Sequence, residues 1–92
     1  MDWYFYIIAN KNSFLHIGYA KDIKRAMLFY KGLPNELKDH NQLVYLEQYK
    51  VEENARNRHE EVTRFTKAQK EELVNSINPG WVELKIGINI EI

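Results

Sequence analysis

The chain has 92 residues, enough for one small domain with a single modest core. Hydrophobic residues make up 45% of it and aromatic residues 13%, which is typical of a packed globule and argues against a disordered chain. The 13 basic and 13 acidic residues cancel, whereas a dedicated nucleic-acid binder is more often clearly basic. There is no cysteine, so disulfide bonds and thiolate metal sites are excluded.

The N-terminal part of the sequence predicts a β-hairpin. "WYFYIIA" (3–9) is rich in aromatic and branched residues, and "FLHIGY" (14–19) has the same character, with the polar turn "NKNS" between them. Asp2 stands where a signal peptide has positive charge, and the apolar run is too short for a membrane helix. We therefore expect a cytoplasmic protein with no membrane segment.

A basic helix is predicted after the hairpin. Asp22 is suited to cap it, and Gly32 and Pro34 end it. Its apolar positions recur at helical spacing: Ile23, Ala26, Met27 and Tyr30. Its basic residues form a candidate DNA-binding stripe: Lys21, Lys24, Arg25 and Lys31. A solvated helix face explains the same charges equally well, so both interpretations stay open.

The second half of the chain alternates between strand and helix patterns. "QLVYLEQYK" (42–50) predicts a third strand. The charged segment that follows has a candidate buried stripe: Val51, Ala55, Val62 and Phe65. Thr66 and Gln69 match a capping box, which predicts that another helix begins there. We expect its apolar face to consist of Leu73, Val74 and Ile77, and "NPG" (78–80) to end it.

The C-terminal segment "WVELKIGINIEI" alternates apolar and polar residues, as a half-buried strand does. It predicts a strand that pairs either within its own sheet or with a second copy, giving a homodimer. The resulting order β-β-α-β-α-α-β is an α+β fold, with a small antiparallel sheet flanked by helices. We expect a domain over residues 1–81 and a C-terminal strand extension over 82–92.

Several segments together resemble the GIY-YIG nuclease superfamily, most of all its small stand-alone bacterial members. The resemblance spans roughly residues 3–81 and rests on order and spacing as much as on identity. The segments that carry it are "YFYII" (4–8), "HIG" (16–18), "YAKDIKRA" (19–26), "NARNRHEEVTRF" (54–65) and "NPGW" (78–81). It implies a three-stranded antiparallel sheet flanked by helices.

The resemblance also implies a reaction, the metal-dependent cleavage of a DNA phosphodiester with Mg²⁺ or Mn²⁺. In the family a tyrosine or neighbouring base activates water, and an arginine on the first helix steadies the charge that develops on phosphate. A glutamate on the second helix holds the cation. These roles agree with elementary chemistry, because developing negative charge needs a fixed cation and a hard metal prefers carboxylate oxygen.

The residues at these positions of this chain are altered. Tyr6 is retained, and His16 replaces the second tyrosine, where it could still act as a base. The arginine position holds Ala26; the neighbouring Arg25 is rotated about 100° around the helix axis. The glutamate position holds His59, and Glu60 beside it is rotated by the same angle.

Three hypotheses follow. In the first, the domain has lost nuclease chemistry and keeps a nucleic-acid-binding or structural role. In the second, it is an active divergent endonuclease with His16 or Tyr6 as base, Arg25 as the cation and His59 or Glu60 on the metal. This enzyme needs Arg25 and a carboxylate to converge on one cleft beside Tyr6 and His16. In the third, the C-terminal strand is the working surface of a protein-interaction module.

Two further groupings are open. His16 and His59 would form a metal or acid–base pair if their two elements meet in space. The aromatic residues near the N-terminus could stack nucleobases, although core and rim packing explains such residues more often: Trp3, Tyr4, Tyr6, Tyr19 and Tyr30. Tyr6 and Tyr19 are the candidates for a pocket.

Overall fold

The computed structural model describes residues 2–10, 14–31 and 42–84, with the backbone alone for 29–31. Within these described residues, three strands and three helices follow one another in the predicted order β-β-α-β-α-α, which confirms the α+β class. They are β1 (Trp3–Ala9), β2 (Leu15–Ala20), α1 (Ile23–Lys31), β3 (Gln42–Tyr49), α2 (Glu52–Thr63) and α3 (Lys67–Ile77). Most of the predicted C-terminal strand and the polar loop after α1 lie outside the described residues.

The three strands form an antiparallel sheet in the order β2-β1-β3. Because β1 is central and covered on both faces, its apolar run is continuous rather than alternating. The register places Tyr6 opposite Gly18 and Ile8 opposite His16, so these side chains share one face, here termed the α1 face. Phe5 lies opposite Tyr19 on the other face, here termed the α2 face.

Helix α1 covers the first of these faces. Its N-terminus is capped as predicted, with the backbone N–H of Arg25 donating to Oδ1 of Asp22 at 2.9 Å. Ile23 and Met27 are buried against the sheet, and Ala26 packs against the same cluster. The predicted apolar face of the helix is therefore confirmed at these three positions, and Arg25 is exposed.

Gly18 makes room for the ring of Tyr6. A Cβ built at Gly18 would lie 2.4 Å from the hydroxyl oxygen and 2.5 Å from Cζ of that tyrosine. Because Gly18 has no side chain, the Tyr6 ring lies across β2 at this position, and Tyr6 is 7% exposed. Tyr6 is a core residue of the α1 face.

Helices α2 and α3 cover the α2 face, where Val62 and Val74 are fully buried with Phe5 and Ile7. The capping box at the start of α3 is confirmed, since Gln69 N–H donates to Thr66 Oγ1 at 3.1 Å and Thr66 N–H to Gln69 Oε1 at 2.8 Å. Together these contacts fix which stripe of each helix packs on the sheet.

The prediction that Val51 and Ile77 are buried is wrong. Val51 is 52% exposed because it is the N-cap residue and precedes the face of α2 that packs on the sheet. Ile77 is 58% exposed because it is the last residue of α3, where the chain turns back toward β3. Of the same two stripes, Ala55, Val62 and Val74 are buried, whereas Phe65 and Leu73 are half-buried.

A β-bulge and the turn after α3 are joined by one side chain. Ile7 pairs with Tyr45 and Ile8 with Leu43, so Val44 is the extra residue on β3. Asn78, only 6% exposed, donates from Nδ2 to the carbonyl oxygens of Val44 and Val82, each at 2.9 Å. Its Oδ1 accepts from the Val82 N–H at 3.2 Å, so the amide is bonded at both ends.

The turn then leads the chain to the outer edge of β3. Trp81 has φ 53°, in the left-handed region, and its indole N–H donates to Oδ1 of Asn75 at 2.6 Å. The backbone N–H of Leu84 donates to the carbonyl oxygen of Leu43 at 2.9 Å. The first residues of the C-terminal extension therefore lie against their own domain. Within the described part of the chain, no helix is long and apolar enough to span a membrane.

Candidate functional site

A cavity of about 500 Å³ lies between helix α2 and strand β2, and we term it the α2 groove. Most of its lining comes from one side of α2, where residues three or four apart are neighbours. Its walls are Tyr19, Arg56, His59, Glu60, Thr63 and Arg64. The groove thus combines an aromatic ring, an imidazole, two guanidinium groups and one carboxylate.

Aromatic rings form a row that enters the groove. The ring centroids of Trp3 and Tyr19 are 6.2 Å apart, and those of Tyr19 and His59 are 5.6 Å apart. All three side chains are half-buried, so each ring is partly covered by protein and partly accessible. Accessible ring faces of this kind are what a planar ligand stacks on.

Arg56 and Arg64 are exposed and supply the positive charge of the groove. Within residues 2–10, 14–31 and 42–84 neither makes an ion pair, whereas Arg58 on the same helix pairs with Glu47 and Glu61. With Glu60 as the acidic residue of the groove, two guanidinium groups face one carboxylate. Such a surface attracts a phosphate-bearing ligand.

Arg58 has a structural role, because its ion pair with Glu47 holds α2 on the sheet. Its Nε and Nη2 each lie 3.0 Å from a Glu47 carboxylate oxygen, and the hydroxyls of Tyr49 (2.7 Å) and Tyr45 also donate to that carboxylate. Burial acts to raise the pKa of Glu47, but the hydrogen bonds from Arg58, Tyr45 and Tyr49 outweigh it and lower that pKa.

The pKa values of the two tyrosines in this network are raised, whereas that of Glu47 is lowered. Burial, and then the hydrogen bond to Glu47, raise the pKa of Tyr45 to about 12 and that of Tyr49 to about 12. Every polar atom of the cluster has a partner that suits its charge, and among the described residues no buried side-chain nitrogen or oxygen is left unbonded. The cluster is a structural anchor beside the sheet rather than a reactive centre.

The candidate catalytic residues from the N-terminal half lie on the α1 face. Tyr6 and His16 are diagonal neighbours across β1 and β2, which corresponds to about 7–8 Å between Cα atoms. The His16 ring also makes an edge contact with Phe14, at a centroid distance of 4.8 Å. Ala26 packs against the cluster that contains Tyr6, and Arg25, next to it in sequence, is exposed.

The candidate metal residues from the second half lie elsewhere. His59 and Glu60 both line the α2 groove, and His59 contacts Tyr19, which belongs to the α2 face. Neither Tyr6 nor His16 lines this groove, and the strand register places His16 on the face opposite to that of Tyr19, which His59 contacts. In the part of the chain described here, no three His, Cys, Asp or Glu side chains are grouped as metal ligands.

The candidate DNA-binding residues belong to α1 and the residues before it. The side chains of Lys21, Lys24 and Arg25 are exposed, as phosphate contacts require. Lys31 is the last residue of α1, and its side chain lies outside the described part. The aromatic residues divide between the two faces, with Tyr4 and Tyr6 on the α1 face and Trp3 and Tyr19 on the other.

Sequence reasoning missed Arg56 and Arg64 as candidate binding residues. A signal was present, because positions 56, 60, 63 and 64 recur at spacings that place them on one side of a helix. The prediction for this segment used only its apolar stripe, which lies on the opposite side of the helix. The aromatic partner of this surface, Tyr19, comes from a strand far away in sequence.

The fold is similar to a solved structure, the solution NMR structure of the UPF0213 protein BH0048 from Bacillus halodurans. The TM-score is 0.60 at 26% sequence identity, over 85% of this chain and 87% of that chain. No protein-family model matches the sequence, and no curated protein matches it. The comparisons thus support a small α+β domain that shares the fold of this bacterial protein along nearly its whole length.

Proposed function

We propose that this protein is a GIY-YIG-like domain that has lost nuclease chemistry and binds nucleic acid. The proposal rests on the motif resemblance, on the antiparallel three-stranded sheet with its flanking helices, and on the similarity to a small bacterial protein of the same fold. Its two parts, loss of cleavage and retention of binding, depend on different residues and are tested separately.

One observation carries the loss of cleavage, namely the separation of the candidate catalytic groups. An active site needs a base, a cation and a metal-holding carboxylate around one phosphate. Tyr6 and His16 lie on the α1 face, whereas His59 and Glu60 line the α2 groove. This arrangement supports a protein whose remaining catalytic side chains no longer converge.

The position of the family's arginine points to the same conclusion. Ala26 packs against the cluster around Tyr6 and offers only a methyl group there. Arg25 is exposed, and its backbone N–H is used by the Asp22 cap, which holds the helix in this register. Losing one preorganised charge-stabilising group typically slows an enzyme by about 10²–10³-fold, and the glutamate position is altered as well.

The binding part of the proposal rests on exposed cations. Lys21, Lys24 and Arg25 are exposed at the start of α1. Arg56 on α2 and Arg64 at the C-cap of that helix are exposed in the groove. Phosphate contacts by exposed lysine and arginine supply most of the affinity in nucleic-acid binding without sequence preference. A chain with zero net charge can bind in this way when its cations are concentrated on particular surfaces.

We also propose that residues 1–81 form the GIY-YIG-like domain and that residues 82–92 are an extension packed on that same domain. Support comes from the first residues of the extension. Asn78 bonds to Val82 through both ends of its amide, and the Leu84 N–H donates to Leu43 on β3. Pairing with a second copy is the alternative, and a monomer in size-exclusion chromatography with light scattering would exclude it.

A nicking assay tests the loss of cleavage. Supercoiled and branched DNA are incubated with Mg²⁺ and then Mn²⁺, using wild type, His16→Ala and Tyr6→Phe proteins purified in parallel. We expect the three proteins to give the same background, because a contaminating nuclease would be present in all of them. Cleavage by wild type that disappears in either variant would overturn the proposal and show chemistry rebuilt around that residue.

A further inference from the structure

We propose that the α2 groove is a binding site for single-stranded nucleic acid, in which a base stacks on Tyr19 and His59 while the flanking phosphates contact Arg56 and Arg64. The inference rests on the nucleic-acid binding proposed above and adds the surface and the form of the ligand. It differs from the sequence-based expectation, which placed phosphate contacts on α1.

The spacing of the two arginines suits a strand rather than a single ion. Arg56 lies on α2 and Arg64 is the C-cap residue of that helix, about 12 Å farther along its axis at the usual rise of 1.5 Å per residue. His59 lies between them on the same helix and is in ring contact with Tyr19. A strand that crosses the groove along the helix therefore brings two of its phosphates near the two guanidinium groups and a base between them near the rings.

The aromatic row favours an unpaired strand over a duplex. In a duplex the faces of the bases are stacked on one another, so side-chain rings cannot reach them. In a single strand the bases are free to stack on protein rings, which is how many single-strand binders work. Trp3, Tyr19 and His59 present such rings at centroid distances of 6.2 and 5.6 Å from one to the next.

Replacing Glu60 tests the inference, because the direction of the resulting change in affinity is predicted. Its carboxylate lines the groove together with the two arginines, so it repels any phosphate bound there. Neutralising it without changing its shape, in Glu60→Gln, must strengthen binding if the ligand is an anion. Loss of a merely structural contact would leave affinity unchanged or reduce it.

The experiment measures fluorescence anisotropy of a labelled oligothymidylate of about 12 nucleotides, within the range of known single-strand sites. The variant Arg56→Ala/Arg64→Ala is compared with Lys21→Ala/Lys24→Ala, the α1 pair, which removes the same charge from the surface at the start of α1. The control pair is Lys50→Ala/Lys67→Ala, two exposed lysines outside both surfaces. We expect Arg56→Ala/Arg64→Ala to weaken binding about 10-fold or more. We also expect it to lower the slope of log K against log salt by about 1.4. We expect the control pair to change binding less than twofold.

The stacking part is tested at Tyr19. Tyr19→Leu removes the ring, and we expect about 10-fold weaker binding, whereas Tyr19→Phe keeps the ring and should bind like wild type. Circular dichroism and thermal unfolding of each variant verify that the fold is retained. Arg56, Glu60 and Arg64 are all exposed, so their replacement does not disturb the core.

The outcomes separate this inference from the proposed function. If wild type binds and only the α1 pair weakens binding, the α2 groove is not the site, although nucleic-acid binding stands. If wild type binds neither single strands nor duplexes, the proposed function fails and the inference fails with it. Tighter binding to a duplex of the same length, or equal competition by thymidine monophosphate, would overturn the assignment to a single strand.

Discussion

The side-chain amide of Asn78 donates to the carbonyl oxygen of Val44, the extra residue of the β3 bulge, at 2.9 Å. A bulge takes its extra residue out of the regular ladder, so a carbonyl there needs another donor. Asn78 supplies that donor and at the same time bonds to both the N–H and the C=O of Val82. One buried amide thus connects the sheet, the end of α3 and the start of the C-terminal extension.

We predict that Asn78→Ala lowers the free energy of unfolding by about 2–3 kcal/mol, because it leaves buried backbone groups without partners. Urea unfolding at neutral pH measures the change. Asn57→Ala, an exposed replacement on α2, is the matched control and should stay within about 0.5 kcal/mol of wild type. Equal stability of the two variants would show that the amide does not hold this junction.

We predict that Gly18→Ala lowers stability by about 1–3 kcal/mol, because its Cβ would overlap the Tyr6 ring and force that ring to move. Gly80→Ala is the control, since the nearest atom to its Cβ is a Val82 methyl at 3.7 Å and its φ is not positive. Thermal unfolding compares the two. A Gly18→Ala protein as stable as wild type would contradict the packing of Tyr6 described above.

We predict that Arg58→Leu costs about 2 kcal/mol at pH 7, because it leaves the half-buried Glu47 carboxylate without its cation. Since folding lowers the pKa of Glu47, its contribution is present above the ordinary value of 4.5 and is lost as pH falls below it. Wild type should therefore lose more stability than Arg58→Leu between pH 7 and pH 3. Equal losses in urea unfolding would count against a charged Glu47–Arg58 pair, and exposed Arg64→Leu serves as the control.

Removal of residues 82–92 should make the protein unfold or aggregate. It takes away the Val82 bonds to Asn78, the Leu84 bond to β3 and an alternating apolar stripe. A chain that ends at Leu84 keeps those hydrogen bonds and should recover part of the stability. Size-exclusion chromatography and thermal unfolding compare the two truncations. A chain ending at Trp81 that stays monomeric and as stable as wild type would contradict packing of the extension on its own domain.

Local sequence signals were sufficient for most of the fold. The hairpin strands, the Asp22 cap and the Thr66–Gln69 capping box each depend on residues close together in sequence, and all are confirmed. Periodicity failed at the helix ends, where Val51 and Ile77 are exposed, because it does not show where a helix leaves the sheet. The bulge at Val44 has no sequence signature and emerges only from strand pairing.

The site depends on relationships that the sequence does not display. Alternation along a strand is visible, yet the face on which α2 packs is not. Only that packing brings His59 to Tyr19, on the sheet face opposite to that of His16. Arg56 on α2 and Arg64 at its C-cap line a groove because Tyr19 closes one side of it. Motif positions alone were enough to identify Ala26 and His59 as altered. They could not show that the remaining candidate residues lie on separate faces of the sheet.

Binding of nucleic acid without cleavage is tested by recovering the complex and examining its nucleic acid. End-labelled single-stranded and branched DNA are incubated with excess protein and Mg²⁺, the protein-bound fraction is isolated by native gel, and its DNA is run under denaturing conditions. We expect a shifted complex, lost in Arg56→Ala/Arg64→Ala, whose DNA is full length after prolonged incubation. Shortened DNA in the wild-type complex but not in the Tyr6→Phe complex would contradict it and show a working nuclease.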